Sequence, residues 1–393
     1  MNTYVKNGRL VAKLIGKIDA STAPEVDRLL RQAISQYPDL PLTLDADQLE
    51  YISSTGLRVI LKLVREDGKA LAVVNASPAV YEVFEVTGIN TLIPVEKQLR
   101  RLDVADCPVI GVGAFGTVYR LNSDTVVKVF RDGEASLPII RDETNRARQA
   151  FLMGVPTAIP FDIVRVGDQY GSVFEMINAQ NCNDLVARDP SVLDDLLPRY
   201  AAFLNRLHAI EARPGVLPSA RALFLKYLSV ISASLDGRVS ERLKYLLESM
   251  PEDLHLVHGD IHLKNLMTSS GEMILIDMDK LCTGNPIFEF ASLCATYVLF
   301  NEDSPDDSMK FFGISAENSR RIYAETLRAC LGNPDEEAFA TAGAKVRTLS
   351  LLRFLKILLL EHSGVDTPLK KLQVRHASEE LMELVFQVDS LAL

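Results

Sequence analysis

The sequence Leu256-Val-His-Gly-Asp-Ile-His-Leu-Lys-Asn-Leu-Met267 places a carboxylate, Asp260, and an amide, Asn265, shortly after a His-Gly turn. Apolar residues fix both ends of this loop, and a short apolar strand over residues 273–276 then ends in Asp277. Because Mg²⁺ prefers oxygen ligands and keeps part of its water shell, Asn265 and Asp277 are the predicted magnesium ligands, together with nucleotide phosphates. Asp260 is the predicted catalytic residue, since it is placed to accept a proton from a substrate hydroxyl and to orient that hydroxyl.

A glycine-rich segment, Gly111-Val-Gly-Ala-Phe-Gly116, lies upstream between two predicted strands. Three glycines allow backbone amides to approach a triphosphate, so Gly111, Gly113 and Gly116 are predicted to contact nucleotide. A plain hairpin and a dinucleotide-binding turn share this pattern, but in the latter the third glycine opens a helix. The continuation Thr117-Val-Tyr-Arg-Leu is β-like, which favours a hairpin that covers a nucleotide.

Lys128 lies in the next predicted strand, Val126-Val-Lys-Val-Phe. A lysine between apolar neighbours needs an anionic partner if it is buried. Glu143, in a predicted helix, is our choice for this partner, and Glu134 is a less convenient competitor. A solvent-facing position for Glu143 remains an alternative at this stage.

Two other metal arrangements were considered in this region. His258 and His262 are four residues apart, but zinc sites of this kind need a helix and a further ligand, and a glycine follows His258. Asp279 is a second carboxylate near Asp277, and the position of Asp277 at the end of the strand favours Asp277 as the ligand.

Composition sets limits on the function. The chain has 393 residues, of which 48% are hydrophobic and 24% charged, so two or three folded domains are expected. The net charge of -10 argues against a nucleic-acid binder or a protein that binds anionic membranes. The five cysteines are widely spaced, and no stretch has the apolar length of a signal peptide or a membrane span. These features predict reduced thiols and a cytoplasmic location.

The pattern of predicted elements changes near residue 100. Before it, strands such as residues 41–46 alternate with helices such as the one from Leu57, which predicts an α/β layer structure. After it, a strand-rich region precedes a mostly helical one, which predicts two lobes. We therefore expect an α/β domain over 1–100, a linker over 101–107, an N-lobe that binds nucleotide over 108–178 and a helical C-lobe over 179–393.

From about residue 108 to at least 300, the chain resembles the aminoglycoside phosphotransferase-like branch of the protein-kinase fold. The resemblance rests on His258-Gly-Asp260 with Asn265, on Ile276-Asp277 and on Gly284-Asn-Pro-Ile-Phe-Glu-Phe-Ala291. It implies a two-lobed α+β fold that uses ATP and Mg²⁺.

The same resemblance places Glu175, Met176 and Ile177 at the hinge between the lobes, where main-chain groups read adenine. One departure is Glu289, where the family often has Asp, and the longer side chain could still brace the catalytic loop. A kinase-shaped pseudoenzyme is the alternative. Because every expected polar group is present, an active enzyme is favoured.

Residues 1 to about 100 resemble the STAS domain of bacterial anti-sigma factor antagonists. The segments that carry this resemblance are Tyr51-Ile-Ser-Ser-Thr-Gly-Leu-Arg-Val-Ile-Leu61 and Leu71-Ala-Val-Val-Asn-Ala-Ser-Pro-Ala-Val-Tyr-Glu-Val-Phe-Glu-Val-Thr-Gly88. In that family a serine at the start of this helix is phosphorylated, which abolishes binding to a kinase partner, and Ser54 is the matching position. The alternative is that Ser53, Ser54 and Thr55 only cap the helix.

Three functions are compatible with the sequence. The first is an ATP- and Mg²⁺-dependent phosphotransferase that acts on a hydroxyl of a small molecule and is regulated by, or tethered through, its STAS domain. The second is a regulatory protein kinase that acts on Ser54 or on a partner's STAS domain, and the third is a nucleotide-binding scaffold without catalysis. An anti-sigma factor or another protein of a STAS pathway is the expected partner. The net acidity is compatible with a cationic acceptor.

Overall fold

A computed structural model of the chain describes residues 1–65, 68–113, 115–269, 271–361 and 367–393. It divides into two units, Met1–Leu102 and Asp103–Leu393. No helix among these described residues is both long enough and apolar enough to cross a bilayer.

The first unit alternates strands and helices. Its elements, in chain order, are β1 (Asn2–Lys6), β2 (Arg9–Ile18), α1 (Ala23–Gln36), β3 (Leu42–Ile52), α2 (Ser54–Arg65), β4 (Leu71–Ala76), α3 (Pro78–Val86), β5 (Val95–Lys97) and β6 (Arg100–Arg101). Five strands form a sheet in the order β1-β2-β3-β4-β5, in which β1 is antiparallel to β2 and the other pairs are parallel. Each parallel connection contains a helix, because neighbouring parallel strands need a long crossover. The predicted α/β layer structure is confirmed.

The start of α2 differs from the sequence-based expectation. A strand was predicted over 41–46 and a helix from Leu57, but β3 continues to Ile52 and α2 begins at Ser54. Pairing with β2, a contact that local sequence does not reveal, extends the strand. Gly56 then allows the helix to lie close to the sheet, since a Cβ there would be 2.7 Å from a side-chain carbon of Ile18.

The second unit begins with a strand-rich lobe. Its elements are β7 (Val109–Val112), β8 (Gly116–Arg120), β9 (Thr125–Phe130), α4 (Leu137–Leu152), β10 (Pro160–Val166) and β11 (Gln169–Glu175). The strands lie in the order β10-β11-β9-β8-β7, and each is antiparallel to its neighbour. Helix α4 packs against β10 and β11, which brings its buried face close to β9.

The remainder of this unit is mostly helical. Its elements are β12 (Gln180–Asn181), α5 (Cys182–Arg188), α6 (Leu193–His208), α7 (Ala220–Ile231), α8 (Gly237–Glu248), β13 (Leu256–Val257), β14 (Leu266–Ser269), β15 (Glu272–Leu275), β16 (Cys282–Thr283), α9 (Ile287–Cys294), α10 (Phe300–Glu302), α11 (Asp307–Phe312), α12 (Ala316–Cys330), α13 (Glu336–Lys356) and α14 (Pro368–Leu384). Apolar side chains of these helices form one continuous core. Two small sheets, β12-β14-β15 and β13-β16, carry the loops that hold Asp260, Asn265 and Asp277 on this core. The predicted two-lobed α+β fold is confirmed.

Candidate active site

The loop between β13 and β14, called the catalytic loop below (residues 258–265), is held by a buried carboxylate. Glu289 on α9 is fully buried, and its two oxygens accept hydrogen bonds from the backbone amides of His258 at 2.6 Å and Gly259 at 2.9 Å. His208 Nε2 lies 3.6 Å from the same carboxylate. Burial opposes ionisation of Glu289, but its contacts with His208 and with the loop outweigh burial and hold its pKa below the usual value. Glu289, which stands where the family often has Asp, therefore holds the catalytic loop in place.

Two buried tyrosines hold the same loop from the other side. The Tyr200 hydroxyl donates a hydrogen bond to the Ile261 carbonyl at 2.9 Å, and the Leu263 amide donates to the Tyr297 hydroxyl at 2.9 Å. Both tyrosine side chains are fully buried. These two hydrogen bonds join the backbone of the loop to side chains of the helical core.

Asp260 contacts an arginine from a distant helix. Arg353 Nη2 on α13 donates to Asp260 Oδ1 at 3.1 Å, and His262 Nε2 lies 4.0 Å from the other carboxylate oxygen. Burial opposes ionisation of Asp260, but nearby positive charges outweigh burial, so its pKa lies below the usual value. Burial holds the pKa of His262 below its usual value. Arg353 is therefore the closest partner that carries a full charge at neutral pH, and Asp260 is a carboxylate.

Lys128 joins the two lobes. Its ammonium on β9 lies 2.8 Å from Glu143 Oε1 on α4 and 3.4 Å from Asp277 Oδ2. The Glu143 side chain is 3% exposed and that of Lys128 is 19% exposed, so this pair is largely shielded from water. The structure brings Lys128, Glu143 and Asp277 together, and the competing partner Glu134 lies in the turn before α4.

Negative charge exceeds positive charge around this lysine. Burial raises the pKa of Glu143 to about 7, helped by Asp277 and opposed by Lys128. Burial and the nearby Asp277 also raise the pKa of Asp279. The carboxylates in turn raise the pKa of Lys128 above its usual value, although burial opposes this. Carboxylates that repel one another in this way favour the approach of a further cation.

Asn265 and Asp277 are linked through the backbone at the end of β15. Asn265 Nδ2 donates to the Asp260 carbonyl at 3.0 Å, which leaves its Oδ1 as the acceptor atom, and the Ile276 amide donates to the Asn265 carbonyl at 2.9 Å. Asp277 has a backbone φ of +66°, a conformation that an aspartate rarely adopts and that is concentrated at functional sites. One carboxylate and one amide oxygen are a donor set that suits Mg²⁺, which takes few protein ligands besides phosphates. Among the described residues, no group of three or more His, Cys, Asp or Glu side chains forms a metal site of the closed kind.

Asp279 has a different environment from Asp277. Its carboxylate accepts a hydrogen bond from Lys280 at 2.7 Å. Arg146 on α4 donates to the Asp279 carbonyl at 2.9 Å and to the Leu281 carbonyl at 3.2 Å. These two hydrogen bonds hold residues 279–281, which follow Asp277, against α4.

The glycine segment forms the hairpin between β7 and β8, called the glycine hairpin below (residues 109–120, of which Ala114 lies outside the described residues). A Cβ at Gly116 would lie 2.2 Å from the Val129 carbonyl oxygen, so strand packing alone requires this glycine. Among the described residues, a Cβ at Gly111 or Gly113 would meet no atom closer than 3.8 Å, chain neighbours aside. Neither of these two glycines has a positive φ in the range that favours glycine. Packing therefore accounts for Gly116 and leaves Gly111 and Gly113 without a structural reason.

The hinge positions lie at the end of β11. The Glu175 amide donates to the Ile159 carbonyl at 2.9 Å, the Met176 amide to the Asp124 carbonyl at 2.8 Å, and the Ala179 amide to the Ile177 carbonyl at 3.0 Å. The first two bonds hold the end of β11 against neighbouring segments, and the third lies within the segment that joins the lobes.

In the first unit, the two serines at the start of α2 differ. Ser53 Oγ accepts a hydrogen bond from the Gly56 amide at 3.4 Å, which is the contact of a helix cap. Ser54 is exposed at the first residue of the helix. The capping alternative therefore applies to Ser53.

Sequence reasoning missed Arg353, Arg146, Tyr200 and Tyr297. Each lies in a helix whose local pattern carries no motif, and each acts through contacts that are distant along the chain. For Arg353, Tyr200 and Tyr297 the available signal was a polar side chain in a largely apolar helical stretch, whereas Arg146 lies in a polar stretch that gives no such signal.

The first lobe holds a shielded Lys–Glu pair, and the second holds a braced loop with Asp260 and Asn265 and, after β15, Asp277. This arrangement defines a phosphotransferase of the kinase type. The sequence model of the phosphotransferase enzyme family matches residues 106–318 of the chain. The model of the Mlab-type STAS domain matches residues 5–94. Because the first match covers more than half of the sequence, the chain belongs to the phosphotransferase enzyme family.

Two curated relatives are similar to the N-terminal unit. The anti-sigma-B factor antagonist of Bacillus subtilis is 31% identical over 100 residues, which are 24% of this chain and 90% of that protein. The anti-sigma F factor antagonist of Paenibacillus polymyxa is 29% identical over 91 residues, which are 22% of this chain and 78% of that protein. The N-terminal unit is thus a STAS domain.

Among solved structures, aminoglycoside phosphotransferase APH(2'')-Ib with bound ADP aligns with 77% of this chain and 98% of its own chain. The identity is 17% and the TM-score is 0.47.

Proposed function

We propose that this chain is an ATP- and Mg²⁺-dependent phosphotransferase that moves the γ-phosphate of ATP to a hydroxyl group of a small molecule. The observation that carries this proposal is the position of the Lys128 ammonium, 2.8 Å from Glu143 and 3.4 Å from Asp277. Glu143 alone would satisfy the need of the shielded lysine for an anion, and Asp277, 149 positions away along the chain, is a second carboxylate beside it. A lysine held in this way is suited to bind nucleotide phosphates.

The nucleotide and its metal would be held from both lobes. Lys128, positioned by Glu143, would bind phosphate oxygens, while Asn265 Oδ1 and the Asp277 carboxylate would hold Mg²⁺. When bound, Mg²⁺ would neutralise charge on the transferred phosphoryl group. The raised pKa values of Glu143 and Asp279 support a site that is incomplete without an added cation.

The remaining nucleotide contacts would come from backbone. Gly111, Gly113 and Gly116 would let amides of the glycine hairpin approach the phosphates. Main-chain groups of Glu175 and Ile177 would contact the adenine.

Asp260 would act on the acceptor. Its lowered pKa makes it a carboxylate at neutral pH, so it can accept a hydrogen bond from the attacking hydroxyl and later its proton. Arg353 holds the Asp260 carboxylate, and the brace at Glu289 fixes the backbone of its loop.

The test is Asp260→Asn, which keeps the shape of the side chain and removes the carboxylate. In the presence of Mg²⁺, ATP and a set of hydroxyl compounds, we expect ADP formation to fall by about 10²–10⁴-fold while ATP affinity stays close to that of the wild type. Asp168→Asn is the control, since the Asp168 side chain is fully exposed on the turn between β10 and β11. Near-normal turnover by Asp260→Asn would remove this residue from its proposed role. ATP binding without turnover by the wild-type chain on any acceptor would favour a nucleotide-binding scaffold.

We further propose that the STAS domain is a docking module controlled by phosphorylation at Ser54. The supporting observation is the exposure of Ser54 at the start of α2, while the neighbouring Ser53 serves as the cap. The N-terminus of a helix tolerates a phosphate locally, but its charge of about -1.5 to -2 would repel a partner that docks on this surface. The partner would be an anti-sigma factor or a related protein, as the names of the STAS relatives suggest.

Incubation of the purified chain with labelled ATP tests whether the chain phosphorylates Ser54 itself. Label that is incorporated into the purified wild-type chain and lost in Ser54→Ala would indicate that the chain acts as a protein kinase on its own STAS domain. Label that is unchanged in Ser54→Ala would exclude Ser54 as the acceptor.

A further inference from the structure

A cavity of about 480 Å³ adjoins the catalytic loop within the second unit, a volume that is typical of sites for small molecules. Gly259, the neighbour of Asp260, lies on its wall, and so does Lys128. The hinge positions Glu175 and Ile177 are not among the described residues that line it. The cavity therefore lies beside the reacting groups and away from the proposed adenine contacts.

One wall of this cavity is apolar and aromatic. Leu223, Phe224 and Tyr227 on α7 form it, together with Phe288. The ring centroid of Phe224 lies 5.3 Å from that of Tyr227 and 4.8 Å from that of Phe288. Packed rings of this kind form a surface against which the carbon skeleton of a ligand can lie.

Two further apolar side chains line the cavity and are exposed to solvent. Ile139 on α4 is 56% exposed, and Phe115 of the glycine hairpin is 59% exposed. Single apolar side chains on a surface are ordinary, but these two border the same apolar cavity. A ligand that covers them would remove apolar surface from water, which favours binding.

The charged side chains of the cavity are matched within the protein. Five bases and three acids line it, and two further carboxylates, those of Asp260 and Asp277, contact bases of the wall. Four of the bases are in ion pairs, namely Lys128 with Glu143, Arg146 with Asp142, Lys280 with Asp279 and Arg353 with Asp260. The ammonium of the fifth base, Lys356, lies 4.7 Å from the centre of the Tyr227 ring. Among the described residues, acids and bases at this cavity are therefore equal in number.

A charged group on the acceptor would gain little in such a cavity. It would have to leave water and compete for a partner that another charge already holds. The carboxylates around Lys128 favour a further cation, but in the proposed function that cation is Mg²⁺ and not the acceptor. An uncharged apolar body has no such cost, and it gains from contact with the rings.

We propose that this cavity receives the phosphate acceptor, and that the acceptor is an uncharged hydroxyl compound with an apolar, ring-shaped body. This proposal rests on the proposed phosphotransferase function. The body of the acceptor lies against Phe224 and Tyr227, and its hydroxyl lies at the end of the cavity beside Gly259. In the transfer, the hydroxyl oxygen bonds to the γ-phosphorus of ATP, the bond from that phosphorus to ADP breaks, and the hydroxyl proton passes to Asp260. A cationic acceptor, which the net charge of -10 on the whole chain allowed, is disfavoured by the equal numbers of acids and bases at the cavity.

The experiment uses the full chain and compares acceptors that share one carbon skeleton and differ in charge. The first series is para-hydroxymethylbenzamide, which is neutral, para-hydroxymethylbenzoate, an anion, and para-hydroxymethylbenzylamine, a cation; their cyclohexane analogues form the second. Glycerol is a neutral compound without an apolar body, and choline and kanamycin are further cations. Binding is measured by calorimetry with Mg²⁺ and a non-hydrolysable ATP analogue, and ADP formation is measured with ATP. We expect the neutral member of at least one series to bind at least about tenfold more tightly than both charged members and than glycerol.

Ile139→Asn removes apolar surface that the acceptor would cover, at an exposed position that the fold should tolerate. It should weaken binding of the neutral ring compound by about five- to tenfold and raise its KM, with little change in kcat. Leu152→Asn is the matched control, because Leu152 is 69% exposed on the same helix and is not among the described residues that line the cavity. The control should change neither quantity.

The possible results separate the class of acceptor from the reaction. Equal or tighter binding of a charged member or of glycerol, an unchanged affinity in Ile139→Asn, or failure of every neutral ring compound to bind would each overturn the proposal. Binding of a neutral ring compound that depends on Ile139 but leads to no phosphate transfer would uphold the apolar site and refute the proposed reaction. Transfer to choline or kanamycin alone would uphold the reaction and refute the proposed class of acceptor.

Discussion

The catalytic loop and the glycine hairpin face the same site, but the fold holds them in different ways. Glu289, Tyr200 and Tyr297 bind the backbone of the catalytic loop with four hydrogen bonds from buried side chains. On the hairpin, Phe115 is 59% exposed, and only Gly116 of the three glycines is required by packing.

This comparison distinguishes residues whose identity is explained by contacts within the protein from residues whose identity is explained by contact with a ligand. Where two residues of the same type lie close together, contacts within the protein account for one of them and leave the other. Gly116 and Gly113 form such a pair, as do Asp279 and Asp277, and Ser53 and Ser54. In each pair the second residue is the one whose proposed role is not explained by packing or capping within the protein.

The largest effect is expected at the brace of the catalytic loop. Glu289→Ala leaves two buried backbone amides, those of His258 and Gly259, without an acceptor, which should lower the free energy of unfolding by about 2–6 kcal/mol. Glu289→Gln keeps one carbonyl acceptor and should lose less. Calorimetry of the full chain measures both, with the transition of the second unit identified by its shift on addition of Mg²⁺ and ADP. Unfolding of Glu289→Ala at the wild-type temperature would show that the loop does not depend on this carboxylate.

The two aspartates after β15 provide a matched pair for metal binding. Asp277→Asn should weaken binding of Mg²⁺–ADP by about 10–100-fold, the range found when groups that support a metal site are changed. Asp279→Asn should have a much smaller effect, because Lys280 already pairs with that carboxylate.

Calorimetric titrations with ADP, with Mg²⁺ and with a chelator, measure this difference. The effect of Asp277→Asn should largely disappear in the chelator. A larger loss in Asp279→Asn would reverse the assignment of the ligand.

The glycine hairpin offers a second matched pair. Gly116→Ala places a Cβ against the Val129 carbonyl and should destabilise the second unit by about 1–3 kcal/mol. The added Cβ of Gly113→Ala meets no atom of the described residues closer than 3.9 Å, chain neighbours aside, so its stability should stay within about 0.5 kcal/mol of the wild type. Its KM for ATP should nevertheless rise, because the added carbon would hold the phosphates away. An unchanged KM in Gly113→Ala would assign the hairpin a purely structural role.

The smallest effect is expected in the STAS domain. Ser53→Ala removes a cap and should reduce the stability of the first unit by about 0.5–1 kcal/mol, while Ser54→Ala should change it by less. Thermal denaturation followed by circular dichroism compares the two variants. A greater loss of stability in Ser54→Ala would return that serine to the role of a helix cap.

Much of the fold could be predicted from the sequence because its signals are local. The spacing of Asp260, Asn265 and Asp277, the glycine segment and the alternation of strands and helices before residue 100 all lie within short stretches. The pairing of Lys128 with Glu143 followed from the need of a shielded lysine for an anion.

Long-range contacts explain what the sequence did not reveal. Arg353 reaches Asp260 from 93 positions away along the chain, and Tyr297 reaches the Leu263 amide from 34 positions away.

A double-mutant cycle between Asn265→Ala and Asp277→Asn tests the convergence of these groups on one metal–nucleotide most directly. The affinity for Mg²⁺–ADP is measured by calorimetry for the wild type, both single variants and the double variant. If both side chains hold the same ion, the double variant should lose less than the sum of the single losses, with a coupling of about 1 kcal/mol or more. Single losses that add to within about 0.3–0.5 kcal/mol would show that the two residues act independently, which would contradict a shared site.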